Sequence, residues 1–586
     1  MKKWTLILLV QLVLSCLPQS GAVASDKLAA EAPVGQESLR VFVARKIITM
    51  DRALPKATAV AVRGDRIVSV GSLESLAPWL DVYPHEIDRT FADDVLVPGL
   101  IDPHLHPMMA AVILPMRFAT PDSWELPDRR VRAVRGAAAY KRRLEELAAA
   151  TPQGEPLLVW GFQPEFHGSM TRKELDQIAA DRPMLLWHRS FHEVFLNTAA
   201  LKSLGISEEE VRALSAASWE DGHFYETGLA GIQPKLMPLI ASRERIVAGL
   251  QQLRDVLHAG GITTVGDMAS GGMDLNLELA VMQAVFERDE IPFRVYLIPK
   301  ADSMGAKLGH IRAEAAIAKL PEKNTRRLQY IPSVKLFADG AFFSQRMQLG
   351  PPGYIDNHTG DWLMTPEELE AAARVYWNAG YQIHVHANGD AGIGATLDVL
   401  ETLLEENPRP DHRFTIEHFG YSTSSQIERI ARLGAQISAN PYYLFALGDL
   451  YAEVGLGTDR AEVITRLGSA VRRGIPVALH SDFTMAPARP LQLAWNAASR
   501  RTSDGKVFSP EEQLTLDQAL RAVTIDAAYI LGKEDEIGSI TSGKKADFTA
   551  LGMDPYEVGV RGLDKIAIRG TVFEGHAYPA TGAVKK

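Results

Sequence analysis

Residues 366–392, PEELEAAARVYWNAGYQIHVHANGDAG, contain one complete helix-to-strand step. Pro366–Gly380 has a helical pattern, and the short apolar run after it ends at His386, just before an Asn-Gly-Asp turn. The same step recurs from Val95 to about Leu531, with candidate strands VLVPGLIDPHLH, GITTVGDM, FRVYLI, SVKLFAD, YQIHVHA, FTIEHF, AQISAN and PVALHSD separated by helical stretches such as SSQIERIARLG. Short apolar runs alternating with helices predict an α/β fold with a parallel sheet and crossover helices. For this length, a closed (β/α)8 TIM-like barrel fits better than an open sheet, and in such barrels chemistry gathers at the carboxyl ends of the strands.

Either side of that region the pattern changes. LRVFVARKIITMD and ATAVAVRGDRIVSVGS near the start, and IGSITSGKKADFTALGMDP and DKIAIRGTVFEG near the end, are short β segments, with a hairpin expected at Arg63-Gly64-Asp65-Arg66. Residues 38–95 and 536–580 are therefore expected to form one composite β-sandwich domain beside a barrel over 96–535; the alternative is two separate β decorations. Residues around 119–240 hold more polar and aromatic material than a minimal barrel needs and are expected to form an insertion over its mouth.

At the start of the chain, Lys2 and Lys3 precede the apolar run Leu6–Leu14, and Ala22-Val23-Ala24 offers a small-x-small cleavage site. Residues 1–24 thus read as a secretory signal peptide and the mature protein as exported, with the bacterial periplasm as the expected location. A second reading stays open: Val13-Leu14-Ser15-Cys16 resembles a lipobox, which would make Cys16 a lipid anchor and the protein a lipoprotein. Cys16 is the sole cysteine, so disulfides are excluded from the mature chain under either reading and cysteine metal sites under the first, and a metal is expected to be held by His, Asp, Glu or Lys. The 586 residues are 46% hydrophobic and 23% charged, the range of a soluble globular protein. With 62 basic against 72 acidic residues, a formal charge of −10, nothing supports nucleic-acid binding, and no later apolar run is long enough to span a bilayer. The expected partner is a small molecule; the oligomeric state stays open.

Four candidate strands end in metal-binding side chains. His104 and His106 lie two apart in PGLIDPHLHP and project together. In YQIHVHA the strand-end position favours His386 as a ligand, and leaves His384 as a core histidine or a support for the ligands. His418 ends FTIEHF, with Glu417 expected to face the opposite way, and Asp482 ends PVALHSD, with His480 two residues before it on the same face. Buried histidines and carboxylates need partners, and one shared metal centre satisfies all four strand ends. Lys335, between Val334 and Leu336 in SVKLFAD, is costly to bury as an ammonium.

The order His-x-His, Lys, His, His, Asp resembles the metal-dependent amidohydrolase superfamily. PGLIDPHLHP, FLNTAAL, AGGITTVGDM, VKLFADG, VHANGDAG, IEHFG and HSDF are similar to its YtcJ-like branch, which includes N-substituted formamide deformylases. The resemblance implies a composite β-sandwich beside the barrel and a centre of two divalent ions, zinc by default. It also implies that His104 and His106 bind the more buried ion and His386 and His418 the second. Asp482 would bind the first ion and handle protons, with a carboxylated Lys335 as the bridge. The expected reaction is hydrolysis of an amide-type carbon–nitrogen bond by metal-activated hydroxide, with Asp482 taking the proton and passing it to the leaving amine. The chain departs from the branch at Ala341–Arg346, at Asn388 and at His480, all near the mouth.

Several readings stay open. Lys335 is either the bridge or a packed lysine paired with Asp339. Asp339 either supports the metal site or caps the turn before Gly340. His188 and His192 either contact substrate or stabilise the insertion. Trp160, Phe162 and Trp187 either line a pocket or pack in the core, and Asp267 ends a strand without an implied role. Two other functions remain: a mononuclear deaminase or ring-opening hydrolase of the same superfamily, and a noncatalytic exported binding protein.

Overall fold

The computed structural model describes residues 38–580. The expected signal peptide over 1–24, with Cys16, lies outside the described residues. Eight strands carry the centre of the molecule: β1 (Leu100–Leu105), β2 (Ile262–Ser270), β3 (Arg294–Pro299), β4 (Ser333–Phe337), β5 (Gln382–Ala387), β6 (Thr415–His418), β7 (Gln436–Ala439) and β8 (Val477–Leu479). Nearly every residue in them is buried, as parallel strands covered by helices require.

The helix before β5 shows how the sequence sets these units. Thr365 accepts from the Glu368 N–H while the Glu368 side chain returns to the Thr365 N–H, and Pro366 occupies the first turn. Leu369, Ala372, Ala373, Tyr376 and Trp377 form the buried stripe. Gly380, at φ 87°, then turns the chain into β5.

The strands form two parallel arcs in a TIM-barrel-like arrangement. β1, β2 and β3 pair in order, with the short strand Leu328–Tyr330 beyond β3, and β4 to β8 pair in sequence order. Ladder pairing is broken at both seams among the described residues. Leu328–Tyr330 takes up the edge of β3, so β4 meets that arc through a single bridge, Lys300 to Lys335. β8 is only three residues long, and Asp482 leaves the extended conformation at φ 50°; there the seam is crossed by the Asp482 N–H donating to the His104 carbonyl at 2.9 Å.

Both chain ends meet in one eight-stranded sheet, ordered His576–Pro579, Ile568–Phe573, Phe548–Leu551, Val95–Pro98, Leu39–Ile48, Lys56–Arg63 and Arg66–Gly71, with His85–Asp88 on the far side of Leu39–Ile48. Val60 and Val62 pack with Phe42 and Phe548 on one face, while Ala59 and Ala61 pack with Val41 and Leu76 on the other. Buried Arg294, at the start of β3, ties this sheet to the arcs through Asp547 and Glu574. The segment around 119–240 builds a second unit, a six-stranded sheet in which Leu157–Phe162 and Met184–His188 are the central parallel pair. No helix among the described residues is long and apolar enough to cross a membrane.

Candidate metal centre

Three strand ends and the loop after β8 converge. His104 closes β1 and His106 starts the following helix, Pro107–Ile113. His386 lies at the end of β5, His418 at the end of β6 and Asp482 just past β8. The His106 Nε2 lies 3.0 Å from Asp482 Oδ1, the His104 Nε2 3.7 Å from the same oxygen, and the His418 Nδ1 3.7 Å from Asp482 Oδ2. Donor atoms of His104, His106 and Asp482 lie within 4.8 Å of one another, and those of His104, His418 and His480 do likewise. His386 belongs to neither group; its ring stands 4.2 Å from that of His418, and its Nε2 meets Asn388 Nδ2 at 2.9 Å.

Glu417 corrects the sequence expectation. Strict alternation would turn it away from His418, but His418 and Phe419 adopt φ 73° and 51°, so the strand kinks as it ends and both side chains reach the centre. Fully buried Glu417 accepts from His104 Nδ1 at 2.6 Å and from His384 Nδ1 at 2.7 Å. A carboxylate is acceptor-only, so both rings are held with Nδ1 protonated and Nε2 free to coordinate. Burial works against ionisation of Glu417, but Lys335 and the His384 hydrogen bond outweigh it and hold the carboxyl down at about 2. His384 therefore sits one layer beneath the centre, locked by the same carboxylate.

Burial, reinforced by neighbouring positive charge, holds His104, His386 and His418 well below the usual imidazole range, which keeps them neutral as ligands must be. Lys335 has no hydrogen-bond partner for Nζ among the described residues, and burial brings it down to about 8 against the pull of Glu417 and Asp482. The alternative pairing with Asp339 does not occur. Asp339 instead accepts from the backbone N–H groups of Asn388 (2.8 Å), Gly389 (2.7 Å) and Gln348 (2.9 Å), clamping the turn after β5.

His480 donor geometry was not foreseen from the sequence. Its ring lies 4.4 Å from that of His104 at a tilt of 33°, meets Ser438 Oγ through Nδ1 at 2.7 Å and leaves a buried Nε2 without a partner among the described residues. His188, bonded to Ser190 at 2.7 Å, stays within the insertion, whereas His192 reaches the cavity wall and pairs with Glu226 at 3.0 Å. Trp160 and Phe162 are core residues, packed on Trp124 and on Tyr140. Tyr443 was also missed. It lines the cavity 3.3 Å from His418, and burial holds its hydroxyl protonated.

The strand ends open into a cavity of about 390 Å³ that His104, His106, Lys335, His386, His418 and Asp482 all line. The neutral imidazoles of His104, His386 and His418, the His106 Nε2 beside the Asp482 carboxylate, and the unpartnered buried Nε2 of His480 form a donor set that fits a divalent ion. Replacing Glu417 by Gln should free the His104 and His384 tautomers and weaken metal affinity by about 10- to 100-fold. Competition with a zinc chelator measures this; unchanged affinity would mean that Glu417 only packs.

A model of the amidohydrolase family matches residues 92–577. The chain is 25% identical to N-substituted formamide deformylase of Arthrobacter pascens over 93% of this chain and 99% of that one. It is 26% identical to YtcJ of Bacillus subtilis (strain 168) over 90% of this chain and 97% of that one. Among solved structures it is similar in fold to an uncharacterized metal-dependent hydrolase from Pyrococcus horikoshii OT3, with a TM-score of 0.69 and 21% identity over 92% of this chain and 100% of that one.

Proposed function

This chain belongs to the amidohydrolase family, and from that premise we propose that it hydrolyses an amide-type carbon–nitrogen bond of a small molecule at the strand-end cluster. The convergence of His104, His106 and Asp482 within 4.8 Å carries this reading. These three would hold one ion, and His386 and His418, with Lys335 carboxylated as a bridge, a second; zinc suits the nitrogen and oxygen donors. Such ions lower the pKa of a bound water towards about 7 and polarise a carbonyl.

The chain's own groups supply the rest. Asp482 is placed to accept the proton of the attacking water and return it to the departing amine, so that the carbon–nitrogen bond breaks without expelling an amide anion. The protonated Tyr443 hydroxyl offers a donor to the carbonyl oxygen as it gains charge. Glu417 fixes the rings of His104 and His384, and Asp339 fixes the turn behind His386.

One observation favours a single-ion alternative: His386 lies outside both close donor groups. Metal analysis of the purified protein separates the two, with close to two ions per chain expected and close to one supporting the alternative. The hydrolase reading itself is tested by screening the zinc-loaded protein against amides, lactams and esters. Amide turnover that is lost on chelation and restored by zinc is expected; binding without turnover across the panel would favour a noncatalytic protein. We also propose export, on the pattern of residues 1–24, which N-terminal sequencing of the mature protein tests.

A further inference from the structure

A second cavity, of about 400 Å³, adjoins the metal centre, sharing His106, Phe191, His192 and Lys300 with it. Its walls are mainly apolar: Met108 and Val112 from the helix after β1, Leu236 and Met237 from the helix Thr227–Ile240 of the insertion, and Trp187 from the insertion's sheet. Into this apolar space projects Asp267, the strand-end residue for which the metal centre has no use.

Asp267 is 2% exposed, and its register partner across β1 and β2 is Leu105, the residue between His104 and His106. Neighbouring parallel strands lie about 4.8 Å apart, so Asp267 stands beside the metal centre. Its carboxyl receives one hydrogen bond among the described residues, from the Ala269 N–H to Oδ1 at 3.1 Å; Oδ2 receives none. A buried carboxylate in that state is costly, and here two further carboxylates, Glu226 and Glu278, line the same space. Glu278 is occupied by the Gly271 and Met273 N–H groups, and Glu226 by His192. Lys300, the lysine on the wall among the described residues, is already paired with Asp302. The cavity therefore combines an apolar lining with a carboxyl, Asp267, that no cation among the described residues pairs, which is the complement of an amine carried on a large apolar group. Burial and the nearby Glu278 also push the Asp267 carboxyl well above its usual range, as expected where a countercharge belongs.

We propose that this cavity binds the substituent of the substrate, a large apolar group bearing a primary amine, and that Asp267 is the specificity residue that pairs with the ammonium. The proposal rests on the hydrolase reading only for the word substrate; the binding site is defined by its own walls.

Calorimetry with the metal-loaded full chain tests it, using 4-phenylbutylamine and the matching uncharged probe 4-phenylbutan-1-ol. The amine should bind at least about tenfold more tightly, the worth of one charge-assisted contact. Asp267→Asn should abolish that preference while leaving alcohol binding unchanged. Leu229→Trp, which fills the cavity from the insertion side, should weaken both probes. An amine that binds through the metals instead would keep its preference in Asp267→Asn, and that result would overturn the proposal, as would equal binding of the two probes by the native protein. Asp482→Asn should retain the preference. Amine preference without amide turnover would thus remove the hydrolase reading alone, and amide turnover without amine preference would remove this proposal alone.

Discussion

Asp482→Asn is expected to cut amide turnover by about 10³-fold, the usual range for losing a positioned proton-transfer group. The carboxylate combines two tasks that an amide cannot. It lies 3.0 Å from His106 Nε2, and it lines the cavity, whereas Glu417 is engaged behind the centre by His104 and His384. Its position depends on backbone rather than on a flexible stem: the Asp482 N–H is held by the His104 carbonyl, and Ser481 beside it is held by buried Asp102. Asparagine fits the same space, so the fold should survive. Turnover measured beside metal content separates the tasks, because a variant that keeps its ions and still loses turnover has lost proton transfer. Native turnover by the metal-loaded variant would remove Asp482 from the mechanism.

What could be read from the chain, and what could not, follows from the range of the interactions involved. Helix Pro366–Asn378 and strand β5 are written in local terms, a capping box, an apolar stripe and a glycine turn, so both were legible. Period-two alternation also brought His104 and His106 to the same side. It failed at Glu417 because alternation assumes extended backbone, and the left-handed conformations of His418 and Phe419 cannot be seen in IEHFG. The broken seams were equally hidden. Whether Leu328–Tyr330 or β4 takes the edge of β3 is decided by competition between segments distant from β3 in sequence. The same limit applies to the insertion, whose aromatic and polar content marked its place but not its six-stranded sheet, since Phe118 pairs with Trp160 across a long connection. His188 closes a strand of that sheet and is buried, whereas His192 lies in the turn after it and reaches Glu226, a distinction that no local pattern records.

Lys335→Ala should remove one of two ions and turnover together. The lysine is fully buried, its Nζ has no partner among the described residues, and burial brings it down to about 8, so an appreciable share of the amine is neutral near physiological pH. A neutral amine can add to carbon dioxide: the nitrogen lone pair forms the new carbon–nitrogen bond, one proton leaves, and an anionic carbamate with two oxygens replaces a cation. That exchange reverses the sign of the charge among His104, His386 and His418, from one that repels a metal to one that binds it. Alanine removes the nitrogen on which such a bridge would form. Metal content should fall from about two ions per chain to about one, with thermal stability measured alongside to exclude unfolding. Acetate or bicarbonate, small enough to enter the space left by the side chain, should restore part of both metal content and turnover, a response that a merely packing lysine would not produce. Two ions and native turnover in the alanine variant would leave Lys335 with no part in the centre.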